Sequence, residues 1–250
     1  MEIPWELLFL VVAGFFAGVI NTLAGGGSLI TLPLLIFMGL PSAEANGTNR
    51  IALMVQNISG TFGFRSKGIS IFPFALYLAV PALIGAIIGA NVAVDMDDAL
   101  FNRLLAIIMV GVVLIMVLKP KAGRGFTSER LTGKYRWFGM LAFLFIGFYG
   151  GFIQAGVGFL IILALSSINH LSLVKSNATK LFVVLIYMSG AIVMFILNDK
   201  VHWTYGIIMA IGNASGAWIA SRWSVRKGDG LVRKFLVVAV IALAIKLWFF

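Results

Sequence analysis

Asn21, Gly25, Gly26, Gly27 and Ser28 place an amide, three glycines and a hydroxyl between two stretches of almost pure hydrocarbon. Three successive glycines weaken a helix by about 1 kcal/mol each relative to alanine, so the run reads as a break. Ser28 stands in the position of a helix N-cap ahead of Leu29 and Ile30. A helix start with uncovered amides attracts anions. The device recurs half a chain later at Gln154, Gly156 and Gly158. Two such breaks facing one another would make one anion site.

A second set of chemistry-bearing residues follows each break. Asn46, Arg50 and Asn57 fall within about 40° of one another at 3.6 residues per turn. Their counterparts are Ser176, Lys180 and Tyr187. Each set is a polar stripe with a cation at its centre. Thr48 and Asn49 flank the first stripe, and Asn177 and Thr179 the second. Ionisable residues inside apolar helices are expensive and line pathways. Arg50 offers a fork for oxygens and Lys180 a point charge. The alternative is that both cations only anchor at the membrane surface.

Other chemistries lack their parts. Ser28 as the nucleophile of an intramembrane hydrolase needs a base within reach. Only His170 and His202 exist, and both fall near helix ends. Every carboxylate lies in a loop or near a helix end, so no proton relay through mid-helix acids is expected. With no cysteine there is no disulfide and no thiolate ligand, and neither metal nor cofactor is expected.

The elements that hold these residues are apolar helices. The chain has 250 residues, 61% hydrophobic and 11% charged, with a mean hydropathy of +1.05. Soluble domains carry about 25% charged residues. Apolar runs of roughly 20 residues recur throughout, which predicts an all-α polytopic membrane protein and not a barrel. The first half reads as helices over 5–24, 28–39, 44–64, 70–92 and 99–118. The first of these reads as a retained helix, since its flank is acidic (Glu2, Glu6) where a signal peptide is basic. Gly14/Gly18, Gly85/Gly89 and Gly212/Gly216 have the spacing that lets helices approach closely. Trp5, Trp137, Trp203 and Trp248 sit near helix ends, as interface aromatics do. The net charge of +10 is concentrated in a few short loops, the pattern of a membrane protein and not of a nucleic-acid binder. The expected partners are membrane lipids and a small anion.

Residues 1–118 and 137–250 read as two copies of one unit, joined by a basic linker at 119–136. Gly14 to Asn21 matches Gly147 to Gln154, Arg50 matches Lys180, and Asp98 matches Asp229, all at a nearly constant offset. Each copy would hold a glycine-broken hairpin plus three transmembrane helices. Placing Arg65, Lys67, the linker and the cluster Arg222, Arg226, Lys227, Arg233 and Lys234 on one side satisfies the positive-inside rule. The copies are then inverted, and both termini lie outside the cytoplasm. Inverted repeats with broken helices are a transporter design, with the substrate near the midplane.

The stretch from Gly18 to Gly60, with Asn21-Thr22, the Gly25-Gly26-Gly27-Ser28 run and the Glu44-Ala45-Asn46-Gly47-Thr48-Asn49 segment, resembles the TauE/SafE family of sulfite-exporter-like permeases. Gly147 to Gly190 is similar to that family's second copy. The family's usual tetrad here is Gly-Thr-Ser-Leu-like, where this chain has Gly47-Thr48-Asn49-Arg50. The resemblance implies a permease of the bacterial inner membrane for small sulfur oxyanions or organosulfonates, working as an exporter. The residues themselves reach only "anion", and an anion channel of the same build remains the alternative.

Overall fold

The computed structural model describes residues 5–118 and 128–224. Glu2, Lys119, Lys121, Arg124, Trp248 and the cluster Arg226, Lys227, Asp229, Arg233 and Lys234 lie outside the described residues. Within them the chain forms helices and no strand. The helices are α1 (Trp5–Ala24), α2 (Ser28–Phe37), α3 (Ser42–Arg65), α4 (Phe74–Val94), α5 (Asp98–Leu118), α6 (Gly133–Phe152), α7 (Val157–Ile168), α8 (Leu173–Leu197) and α9 (Trp203–Ser224).

Helices α1, α4 and α8 are each long and apolar enough to cross a membrane. By contrast α2 has ten residues and α7 twelve, or about 15–18 Å at 1.5 Å per residue, half of a 30 Å hydrocarbon core. Outward faces carry Phe16, Val80, Ile84, Ile107, Phe145 and Ile211 in exposed positions. Water would not tolerate so continuous an apolar surface. Trp5, Trp137 and Trp203 are exposed in the first turns of α1, α6 and α9.

Packing runs across the chain's two halves. Helix α1 lies along α9, α4 lies along α6, and α3 and α8 pack on one another and on α9 and α4 respectively. The glycine pairs read from the sequence make these contacts. A Cβ at Gly14 would stand 2.6 Å from the Met209 carbonyl of α9, and one at Gly212 would stand 2.7 Å from the Phe15 nitrogen of α1. Gly85 of α4 has the same relation to the Phe148 nitrogen of α6, also 2.7 Å. Close backbone approach of this kind is what small residues permit in a membrane.

Two local departures from the sequence reading have physical reasons. Residues 70–73 are not helical, and α4 starts after Pro73, whose ring and missing N–H suit the mouth of a helix. Helix α6 starts at Gly133, so Lys134 and Arg136 lie on its first turn and not in an extended linker.

Candidate anion junction between the broken helices

Helices α1 and α6 both end inside the protein, and their last carbonyls have no partner in their own helix. The chain answers with the buried cation of the opposite half. Arg50 of α3 donates from Nη1 to the Gly150 carbonyl (3.0 Å) and from Nη2 to the Gly151 carbonyl (2.5 Å). Asn46, one turn earlier, donates to the Phe152 carbonyl (2.7 Å) and accepts from Arg50 Nη2 (3.2 Å). Lys180 of α8 donates to the carbonyls of Asn21 (2.7 Å) and Thr22 (3.1 Å) and to Asn177 Oδ1 (2.8 Å). Asn177 donates in turn to the Leu23 carbonyl (3.2 Å). Each final turn of a broken helix thus receives one cation and one amide from the other half. The guanidinium of Arg50 also lies 4.6 Å from the ring centroid of Phe195, a cation–π distance.

The two breaks touch. Gly25 has φ +78° and Gly156 φ +71°, a backbone region that glycine enters freely. A Cβ on Gly158 would sit 2.6 Å from Gly25 Cα, so the two glycine backbones meet with no room for a side chain. Gly27 lies against Ala17 and Asn21 and folds α2 back onto α1, while the Gly26 carbonyl accepts from Leu29 N–H (3.1 Å).

Ser28 is not the N-cap expected from the sequence. Gly27 precedes the helix with no side-chain cap, and Ser28 is its first residue. Its hydroxyl bridges to the second break, donating to the Gln154 carbonyl (3.1 Å) and accepting from Gly156 N–H (3.1 Å). Both partners are backbone groups of the second break, so the hydroxyl ties the two breaks together. Gln154 holds φ +67° as a non-glycine residue. Tyr187 donates to Gln154 Oε1 (3.1 Å) and helps fix it there. The Tyr149 hydroxyl donates to the Ala155 carbonyl between the same breaks.

The remaining residues singled out by sequence divide in two. Some serve the scaffold: Asn57 donates to its own Leu53 carbonyl (2.6 Å) and Ser176 to Leu171 (3.5 Å), while Thr48 Oγ1 accepts from His202 N–H (2.8 Å) and ties α3 to the turn before α9. Others are buried with unused polar atoms. Both side-chain polar atoms of Asn49 lack a hydrogen-bond partner, as do Arg50 Nε and the Thr179 hydroxyl. Sequence reading missed Asn213 of α9, which is buried and donates weakly to Gln56 (3.4 Å) while its own oxygen stays unused. Its signal was a lone amide within an apolar helix.

A model of the family described as "Sulfite exporter TauE/SafE" matches residues 10–247. The chain belongs to the TauE/SafE family. Three similar proteins are each named a probable membrane transporter. One, ORF9 of Sinorhizobium, is 30% identical over 96% of this chain and 92% of its own length. One of Haemophilus influenzae is 29% identical over 99% of this chain and 96% of its own. YfcA of Escherichia coli is 30% identical over 99% and 91%. No solved structure gives a significant match. As a TauE/SafE protein the chain is a membrane permease, and Ser28, Asn46, Arg50, Asn177 and Lys180 all bond to the two helix breaks of the junction.

Proposed function

We propose that the chain is a carrier that exports a small sulfur oxyanion or organosulfonate across the bacterial inner membrane, through a midplane site between two inverted repeats. The observation that carries this reading is buried positive charge. Arg50 and Lys180 are both buried, whereas every described carboxylate is exposed or half-exposed. The C-terminal end of a helix offers about half a negative charge. One full cation facing each end leaves roughly half a positive charge per site on the same estimate. In a low-dielectric interior that residue of charge draws an anion, and the unused nitrogens Asn49 Nδ2 and Arg50 Nε give it donors.

A two-fold relation between the halves is supported by the exchange itself, and the loop charges support its inverted form. The first helix of each half packs on the fourth of the other, and the cation of each half reaches the broken helix of the other. A two-fold relation between halves generates such pairs. Sulfur enters through the family description, not through the junction geometry.

Purified protein in liposomes loaded with unlabelled sulfite or ethanesulfonate tests the reading. A carrier accumulates the labelled anion transiently above equilibrium by counterflow. Simple equilibration without overshoot would assign the chain to a channel, and no anion flux at all would remove the transport reading.

A further inference from the structure

A cavity of about 370 Å³ opens away from the junction, where the starts of α4, α6 and α8 meet. It is a size that takes a small organic ligand. Phe72, Phe74, Tyr77 and Leu171 supply apolar wall, and Arg136 and Lys175 supply charge. Arg136 is held over the Tyr77 ring at 4.8 Å. Thr179 lines the same cavity, is buried, and its hydroxyl has no hydrogen-bond partner. A buried hydroxyl left unused is a standing cost unless something binds it. It precedes Lys180 directly, so the cavity reaches the residue beside the junction cation.

We infer that this cavity is an anion subsite on the basic face, taking an oxyanion head on a short apolar body before it reaches the junction. The inference rests on the anion-carrier reading. Arg136 and Lys175 hold the oxyanion, Thr179 donates its hydroxyl, and the aromatic wall receives the hydrocarbon. Glu129 already occupies part of the place. Its carboxylate pairs with Lys175 Nζ at 2.6 Å, with the two side chains 34% and 43% exposed. Pairs this exposed are weak and easily exchanged. The carboxylate before α6 is therefore an internal competitor of the substrate. At the opposite end of the bundle the comparable gap is closed, since Thr48 Oγ1 accepts from His202 N–H and Gly47 lies against the Lys200 carbonyl.

Titration calorimetry of butanesulfonate into the detergent-purified full chain tests this without any transport step. Glu129→Gln is expected to tighten binding about fivefold, a gain that misfolding cannot mimic. Arg136→Gln and Thr179→Val are expected to weaken it at least fivefold with melting temperatures near that of the parent. Equal affinity in all four proteins would overturn the subsite. Displacement of butanesulfonate by phosphatidylglycerol in nanodiscs, but not by phosphatidylcholine, would assign the cavity to a lipid headgroup and overturn the substrate assignment. Binding altered as expected in a protein that shows no counterflow would keep the subsite and remove only the carrier reading.

Discussion

At the scale of single residues, Arg50 and Lys180 do two things at once. Their N–H groups satisfy carbonyls that a broken helix strands in the interior, and their charge is only partly offset there. Hydrogen bonds to charged groups contribute about 1.5–3 kcal/mol, and stranding the acceptors adds a penalty. Arg50→Gln is therefore expected to destabilise the protein by about 2–4 kcal/mol, read as denaturant midpoint in detergent. Arg50→Lys should recover part of that, since an ammonium can reach one carbonyl but cannot reproduce the fork on Gly150 and Gly151. The sequence revealed these two cations and their matched positions. It could not reveal their partners, because backbone carbonyls carry no sequence signal and these lie about half a chain away. Asn49 is the opposite case. Its type was conspicuous, and its burial with both polar atoms unused is visible only in three dimensions.

At the scale of elements, the fold depends on two breaks that interlock. Gly25 and Gly39 both have positive φ, +78° and +93°. Gly25 has the backbones of Gly158 and Phe159 against it, whereas Gly39 has nothing within 4 Å. An alanine in this backbone region costs about 1–2 kcal/mol wherever it is placed. Gly39→Ala should show that loss alone, and Gly25→Ala at least twice as much, in parallel melting curves. Equal losses would mean that the breaks are not in close contact. The glycine run was legible as a break from composition, and the paired glycines of α1, α4 and α9 as packing faces from their spacing. The error over Ser28 has a clear origin. Serine is a preferred N-cap residue, but here a second backbone lies close enough to claim the hydroxyl.

At the scale of the whole molecule, the positive-inside rule gives the proposed arrangement in the bilayer. On that proposal the turn after α3 faces the cytoplasm and the α4–α5 turn the other side. The chain has no cysteine, so single replacements report cleanly. In right-side-out vesicles Asp97→Cys is expected to react with an impermeant maleimide, and Ser66→Cys only after the vesicles are opened. The reverse pattern would invert the orientation. Helical class and membrane character were plain from hydropathy, because lipid-facing surfaces need long apolar runs. The pairing of α1 with α9 and of α4 with α6 was not, because apolar helices of similar composition do not name their neighbours.

An anion site at the junction is tested by Asn49→Leu with two readouts, stability and sulfite counterflow in liposomes. A buried amide without partners is a liability to the fold, and an apolar residue of similar shape leaves stability unchanged or raises it. Asn49→Leu is expected to melt at or above the temperature of the parent and to lose counterflow by at least tenfold. Undiminished counterflow in the stable variant would contradict an anion site at the junction of the broken helices.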